Sequence, residues 1–365
     1  MSALKPGTLV ADQYRIVRKV GSGGMATIYE AKLKDTGERV ALKIPFDSFR
    51  QDKGAMKRFL REARAAMAIN SPNVIRTLSV GRLGNGMPIL AMEYVDGIPL
   101  RDLMYDPQGT PQPMAIETTL SVVDQIASAI EAAHAVNVIH RDIKPDNVLI
   151  AFGQDGMVAK VFDFGLSLLS AEFSISRLTA PGVTFGTPQY MPPEQARNAG
   201  AADERADIYA LGVIAYEMLA ANFPFEGETP LEVWRNATQG KPVELAVHRP
   251  DLPTGLAEVI MKAISRDPKD RQQTARDLRE ALAPHVPNKP VREMLAAQLP
   301  DAPLHMRSDA ASAGPDPSLA TRSALPIERA YSFKRAKAVP AAIAIAVFTL
   351  LVSGVVILVL VLASR

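Results

Sequence analysis

The first residues along the chain that could take part in chemistry form a glycine-rich turn near the N-terminus. The run Gly21-Ser22-Gly23-Gly24 joins two segments of strand-like composition. Glycines let a hairpin backbone approach phosphate groups closely and turn its N–H groups toward their charge. A dinucleotide-binding fingerprint would require a helix after the glycines, and the strand-like Thr27-Ile28-Tyr29 argues against one. On its own the run is also compatible with an ordinary tight turn.

A lysine and a glutamate downstream could complete a phosphate site. Lys43 ends the apolar run Val40-Ala41-Leu42, and Glu62 follows in a segment of helical composition. A Lys–Glu pair between a strand and a helix would hold the ammonium toward nucleotide phosphates. Taken singly, the lysine could equally extend to solvent, and an isolated glutamate on a helix is usually solvated.

Two longer motifs decide between these alternatives. The first runs from His140 to Asn147 and the second is Asp163-Phe164-Gly165. With the glycine turn, the strand lysine and a closing Pro193-Glu194, they occur in the order that resembles the eukaryotic-type Ser/Thr protein kinases of bacteria. The resemblance covers Tyr14 to Leu282. It implies ATP and Mg²⁺ as cofactors and transfer of the γ-phosphate to Ser or Thr of cytoplasmic proteins.

The resemblance assigns catalytic roles residue by residue. Asp142 matches the base that accepts or orients the substrate hydroxyl proton, and Lys144 can neutralise charge on the transferring phosphate. Asn147 and Asp163 match the Mg²⁺ ligands, because this hard cation takes few protein ligands and prefers oxygen. Lys144 is followed by proline, which resembles Ser/Thr kinases more than Tyr kinases.

The ATP site follows from the same resemblance. Lys43, held by Glu62, is expected to reach the α- and β-phosphates. Apolar side chains would enclose the adenine ring, and the backbone of the segment after Met92 would bond its edge. The third glycine of the phosphate loop is replaced by Ala26. The residues expected to bind ATP are Val20, Gly21, Ser22, Gly23, Gly24, Ile28, Ala41, Lys43, Glu93, Val95 and Leu149.

The segment from Asp163 to Glu194 resembles an activation segment. Thr179 and Thr184 are the leading candidates for autophosphorylation, and Arg141 could clamp a phosphate there. The resemblance also gives Asp207 the role of bracing the catalytic loop, and it pairs Arg271 with Glu194.

Periodicity predicts an α+β fold in two lobes, the first rich in strands and the second in helices. Predicted strands occupy Tyr14 to Leu33, Arg39 to Ile44 and two pieces within Met87 to Tyr94. Predicted helices occupy Ala55 to Ile69, Ile116 to Ala135, Ala206 to Leu219, Pro230 to Thr238, Gly255 to Ile264 and Ala275 to Leu282. The kinase domain is expected at residues 14–284.

Bulk composition sets limits on the other function classes. The 365 residues include no cysteine, so disulfides, thiolate metal sites and cysteine nucleophiles are excluded. The net charge of +2 gives no signal for nucleic acid. The segment Met1 to Asp12 has no apolar core, so no secretory signal is expected.

The C-terminal part predicts a membrane anchor. Residues 285–338 are rich in Pro, Ala and Ser and are predicted to be a flexible linker. Residues 339–363 carry no charge, and a helix of this length would rise about 37 Å, enough to cross a hydrocarbon core of about 30 Å. Lys334, Arg335 and Lys337 precede the run and predict a single-pass protein of the cell membrane with its kinase domain in the cytoplasm. Only Ser364 and Arg365 follow, so no external sensor domain is expected.

Two rival functions and one question of assembly stay open. A membrane-tethered scaffold that binds nucleotide without catalysis is the first rival. A small-molecule phosphotransferase of similar fold is the second, and the long Thr-bearing activation segment disfavours it. Ser353 and Gly354 offer a small-residue face for helix contact, so a homodimer is also left open.

Overall fold

The computed structural model describes residues 4–23, 26–46, 53–84, 86–153, 156–164, 188–197 and 202–286. The candidate residues Gly24, Thr179 and Thr184 lie outside these ranges, as does the predicted membrane helix at 339–363. The predicted linker at 285–338 also lies outside them apart from its first two residues. Within the described ranges, no helix combines the length and the apolar character needed to span a membrane.

An antiparallel sheet forms the N-terminal lobe. Its strand order is β1-β2-β3-β4-β6-β5 among the described residues, and helix α1 lies against β5 and β6. The strands are β1 Leu9–Val10, β2 Tyr14–Ser22, β3 Ala26–Leu33, β4 Arg39–Pro45, β5 Thr77–Arg82 and β6 Pro88–Glu93, and α1 is Lys53–Ala66.

Side chains alternate along β4, so its candidate phosphate-binding residue Lys43 and the buried apolar residues lie on opposite faces of the sheet. Val40, Leu42 and Ile44 are buried in an apolar cluster on one side. Side chains on a strand point to opposite faces in turn, so Ala41 and Lys43 share the other face. Ala41 packs there against a second cluster, which α1 helps to form. Because side chains alternate between the two faces of β4, the side chain of Lys43 lies on the face opposite to Val40, Leu42 and Ile44.

Helices and a small second sheet make up the rest of the described structure. Helix α5, Arg205–Ala220, is buried on nearly every side, which suits its continuous run of apolar residues. Strands β7 Gly97–Pro99, β8 Val148–Gly153 and β9 Gly156–Val161 form an antiparallel sheet in the order β7-β8-β9. The helices are α2 Leu100–Met104, α3 Ile116–His134, α4 Pro193–Arg197, α5 Arg205–Ala220, α6 Pro230–Gln239, α7 Leu245–His248, α8 Thr254–Ala263 and α9 Ala275–Leu282.

The two-lobed α+β fold confirms the prediction, with one error in the strands. The six predicted helices are present with ends shifted by up to three residues. The prediction of two strand pieces within Met87 to Tyr94 is wrong, because this region forms the single strand β6 and its partner β5 lies earlier at Thr77–Arg82. The small sheet of β7 to β9 was also not predicted, since its short strands have no clear alternation.

A buried arginine joins the helices below the active site. The side chain of Arg271 is fully buried, and its guanidinium donates to both carboxylate oxygens of Glu194 at 2.7 and 2.8 Å. It also donates to the backbone carbonyls of Ser265 and Arg205 at 2.8 and 2.9 Å. The predicted Arg271–Glu194 pair is thus confirmed, and it ties α4 to the start of α5.

Replacing Arg271 is expected to destabilise the fold severely. Arg271→Met leaves the Glu194 carboxylate and the backbone carbonyls without their donor, and breaking such a buried pair costs about 3–5 kcal/mol. Urea unfolding of the full chain measures the loss. The matched control is Arg276→Met, because Arg276 makes an exposed surface pair with Glu131; this variant should unfold at nearly the wild-type urea concentration. Equal losses in both variants would contradict the role given to Arg271.

Candidate active site

The loop from His140 to Asn147 is held in shape by one buried carboxylate. Arg141 has a positive φ of 63°, a left-handed conformation that is costly for a residue with a side chain. The backbone N–H groups of His140 and Arg141 donate to the two oxygens of Asp207 at 2.9 and 2.7 Å. Asp207 therefore fixes the conformation of the loop just before Asp142, as the sequence predicts.

Asp207 is ionised despite its burial. Burial alone would raise the pKa of this carboxyl, which is only 1% exposed. The ring of His134 lies 2.8 Å from its Oδ2, and this contact together with the His140 N–H holds the pKa of Asp207 below its usual value. The negative charge stays in place to accept the loop N–H groups.

Asp142 lies at the end of this braced loop beside a cation and an amide. Its Oδ2 is 2.8 Å from Lys144 Nζ and 3.3 Å from Asn147 Nδ2. Asn147 Nδ2 also donates to the Asp142 carbonyl at 2.7 Å. The Asp142 side chain is 37% exposed, so a hydroxyl from outside can reach it. The arrangement offers a proton acceptor next to an ammonium that can neutralise an anion.

Asp163 and Lys43 meet across the cleft between the lobes. Asp163 has a positive φ of 68°, and its Oδ2 lies 2.7 Å from Lys43 Nζ. Its other oxygen, Oδ1, is buried and makes no hydrogen bond within the described part of the chain. The side-chain nitrogen of Asn147 donates to Asp142, so the Oδ1 atom of Asn147 can serve as an acceptor. A carboxylate oxygen and a carboxamide oxygen of this kind fit a hard divalent cation.

Lys43 contacts a carboxylate that the sequence analysis did not assign to it. The structure places Lys43 Nζ 2.7 Å from Asp163 Oδ2. Glu62 is buried on α1 at 8% exposure, on the face where Phe59, Leu60 and Ala63 pack. The role given to Glu62 stays a prediction.

The glycine-rich turn connects the two strands beside Lys43. Gly21 pairs with Ile28, and Ile28 pairs in turn with Lys43 on β4. The turn is closed by the N–H of Gly23, which donates to the Ala26 carbonyl at 2.9 Å. Val20 and Ser22 end β2 in exposed positions. The register thus brings the predicted phosphate loop and the predicted phosphate lysine to the same side of the lobe.

Apolar candidates for adenine binding also converge. Ala41, Val95 and Leu149 pack against one cluster that contains Met92, and Ala41 is the cross-strand partner of Met92. Within the described ranges, the backbone N–H and C=O of Val95 make no hydrogen bond. A flat apolar ring with a polar edge fits this combination, because the edge could bond the open backbone groups.

The side chain of Glu93 ties the segment beside Val95 to both lobes. Its oxygens lie 2.8 Å from Lys160 Nζ on β9 and 3.3 Å from Arg76 Nε. Burial would raise the pKa of Glu93, but the two cations hold it below the usual value. The sequence predicted a role for the backbone of Glu93 and did not predict this role for its side chain.

A second polar cluster was missed by the sequence analysis. Arg101 Nε donates to Asp146 at 3.0 Å, and Arg101 NH2 donates to the Tyr190 hydroxyl at 3.0 Å. The hydroxyls of Tyr190 and Tyr105 both donate to Glu217, and burial raises the pKa of Glu217. These residues are far apart in sequence, so no local spacing could have revealed the cluster. It fixes the catalytic loop to the C-terminal part of the activation segment.

The chain that follows the activation segment is tied to the catalytic loop. Gln195 Nε2 donates to the Arg141 carbonyl at 2.8 Å. The guanidinium of Arg141 reaches the Ala202 carbonyl at 3.4 Å, and its buried Nε makes no hydrogen bond within the described ranges. Arg141 therefore keeps a donor that no described residue uses.

Comparisons with known proteins agree on one family. A model of the protein kinase domain matches residues 14–282. The serine/threonine-protein kinase pkn2 of Myxococcus xanthus is 35% identical over 283 residues, which are 77% of this chain and 33% of that protein. The serine/threonine-protein kinase PknB of Mycobacterium tuberculosis is 32% identical over 276 residues, which are 75% of this chain and 43% of that protein. The chain thus spans less than half the length of these relatives.

A solved structure supports the same fold. The crystal structure of the PknI kinase domain from Mycobacterium tuberculosis superposes with a TM-score of 0.61 at 26% sequence identity. The alignment covers 78% of this chain and all of that structure. The similarity therefore extends over both lobes.

The ionised state of Asp207 predicts how stability responds to acid. A carboxyl whose pKa is lowered by folding stabilises the protein above its unfolded pKa, and this contribution is lost as the pH falls through the folded value. Asp207→Asn is expected to lower the free energy of unfolding at pH 7 by about 2 kcal/mol, because charge-assisted hydrogen bonds are lost. The difference in stability between the wild type and the variant should begin to shrink only below about pH 4, and it should disappear once the pH is below the lowered pKa of Asp207.

Urea unfolding at pH 7 and at lower pH measures both effects. The control is Asp35→Asn in the exposed turn between β3 and β4, which should change little at either pH. A difference between wild type and Asp207→Asn that is the same at every pH would show that the charge of Asp207 is not what stabilises the loop.

Proposed function

The chain belongs to the protein kinase family, and we propose that it is a Ser/Thr protein kinase that transfers the γ-phosphate of ATP to other proteins. The observation that carries the proposal is a pair of contacts, Lys144 Nζ 2.8 Å from Asp142 and Lys43 Nζ 2.7 Å from Asp163. The residue before Asp163 is bonded to the catalytic loop, because the N–H of Phe162 donates to the Asn147 carbonyl at 3.0 Å. The names of the relatives support the preference for Ser and Thr, as does the Lys144-Pro145 pair in the loop.

Transfer of a phosphoryl group depends mainly on positioning and on stabilisation of charge. The carboxylate of Asp142 orients the substrate hydroxyl and accepts its proton. The ammonium of Lys144, 2.8 Å away, neutralises negative charge on the group in transfer. The brace from Asp207 keeps both side chains in place, since it fixes the backbone on which they stand.

ATP is expected to lie between the glycine turn and the apolar cluster. Ile28, Ala41 and Leu149 enclose the adenine ring, and the open backbone groups of Val95 bond its edge. Lys43 binds the phosphates. Asp163 and Asn147 would hold Mg²⁺, which supplies neutralisation of phosphate charge when it is bound.

Removal of the Asp142 carboxylate is expected to abolish transfer without abolishing nucleotide binding. Asp142→Asn should incorporate at least about 100-fold less labelled phosphate from ATP, since general-base catalysis contributes a factor of this order. The assay uses the detergent-solubilised full chain with Mg²⁺ and a generic protein substrate. The control Asp251→Asn alters an exposed surface pair with Arg249 and should keep full activity.

The same samples address regulation and the scaffold alternative. We expect phosphate on Thr179 or Thr184 of the wild type, located by mass spectrometry of its peptides, since Arg141 keeps a donor that could bind a phosphate. A wild type that incorporates as little phosphate as Asp142→Asn would favour the non-catalytic scaffold. Phosphate confined to other parts of the chain would contradict the regulatory role of the two threonines.

We also propose that residues 339–363 anchor the chain in a membrane, with the kinase domain on the cytoplasmic side. The uncharged run and the three cations before it support this. The full chain should stay in the membrane fraction after carbonate extraction, and a chain that ends at residue 338 should move to the soluble fraction. If both chains partition alike, the anchor is wrong.

A further inference from the structure

The segment 93–96, which links β6 to β7, is flanked on its outer side by charged residues of the N-terminal sheet. Glu30 on β3 is the buried member, at 5% exposure. Arg18 Nε on β2 donates to its Oε2 at 2.8 Å, and Arg39 Nε on β4 donates to its Oε1 at 2.9 Å. One buried carboxylate thus orients two guanidinium groups. We call these three residues the outer cluster.

The outer cluster continues onto the linking segment. Arg39 binds Asp96 with two nitrogens, at 2.6 and 3.2 Å from the two carboxylate oxygens. Its guanidinium also lies 4.0 Å from the centre of the Tyr94 ring, and Arg18 donates to the Tyr94 hydroxyl at 3.0 Å. Two-nitrogen contact with a carboxylate and stacking on an aromatic ring are properties of arginine that lysine cannot reproduce.

The linking segment is therefore positioned by side chains on both sides of Val95. Glu93 is held by Lys160 and Arg76, while Tyr94 and Asp96 are held by the outer cluster. The backbone of Val95 makes no hydrogen bond within the described ranges. Its orientation depends on the contacts made by its neighbours.

We propose that Arg39 is a positioning residue for the adenine base. With Glu30 and Asp96 it holds the segment 93–96 so that the Val95 backbone presents its N–H and C=O to the adenine edge. The inference rests on the proposed function, in which Val95 binds adenine. Preorganisation of this kind strengthens binding, because the segment loses less conformational freedom when the ligand arrives.

Solvent exposure limits the size of the effect. The side chains of Arg39 and Asp96 are 42% and 73% exposed, so salt and water screen their attraction. The dissociation constant for a ligand that uses the segment should therefore rise by about threefold to tenfold when the link is cut. The turnover number should stay within about twofold, because Arg39 does not face the transferring phosphate.

Two variants of the full chain test the proposal. Arg39→Met removes the contacts with Glu30, Tyr94 and Asp96 together. Asp96→Asn removes the charge at the linking segment and leaves Glu30 with both arginines, so the sheet is undisturbed. Calorimetry measures binding of Mg-ADP and of adenosine, which lacks phosphates and reports on the base site alone. Both variants should bind adenosine and ADP about threefold to tenfold more weakly than wild type.

Three further variants separate positioning from general damage. Arg15→Met is the matched control, because Arg15 is exposed on the same strand as Arg18 and contacts only the Gly7 carbonyl in the described structure; it should bind as wild type does. Lys43→Met should weaken ADP and leave adenosine unchanged. Arg39→Lys should bind adenosine more weakly than wild type, since the charge alone cannot restore the paired contact.

Kinetics give the second readout. In Arg39→Met and Asp96→Asn the KM for ATP should rise by the same factor as the dissociation constant, with little change in kcat. A fold defect would lower kcat and the thermal midpoint without this pattern. Wild-type affinity for adenosine in both variants would overturn the inference while leaving the proposed function intact. Failure of the wild type to bind any nucleotide would overturn both.

Discussion

The buried carboxylate of Asp207 is the interaction on which the active site depends. It accepts hydrogen bonds from two backbone N–H groups of the loop that carries Asp142. These bonds offset the conformational cost of the left-handed backbone at Arg141. The ring of His134, at the end of α3, lies 2.8 Å from one of its oxygens. Because α5 is packed on nearly every side, the carboxylate cannot move without disturbing the core. The catalytic loop is thus bonded to a helix that tight packing holds in place.

Features of the site that depend on residues close together in the sequence could be predicted. Contiguous motifs predicted the catalytic loop, the candidate metal ligands and the strand lysine. Short spacing along the chain determines where Asp142, Lys144 and Asn147 lie relative to each other. Alternation along β4 gave the faces of Ala41 and Lys43. These features follow from local geometry and could be predicted.

Contacts between distant segments could not be predicted in the same way. The pairing of Lys43 with Asp163 depends on the backbone twist at Asp163, which the sequence does not reveal. The cluster around Arg101 and Glu217 joins residues more than a hundred positions apart. Arg39 resembles any exposed strand arginine until the fold brings it to Asp96. In each case the side chain's role is set by its partner.

The length of helix α5 also sets the distance between two buried carboxylates. Asp207 near its start serves the catalytic loop, and Glu217 near its end serves Tyr190 and Tyr105. Asp207 and Glu217 are ten positions apart, which corresponds to about 15 Å along the axis. One residue inserted between them would turn Glu217 by about 100° relative to Asp207, so the two carboxylates could no longer meet their partners together. The length of α5 is therefore as constrained as its composition, and changes in chain length should be tolerated in the surface turns instead.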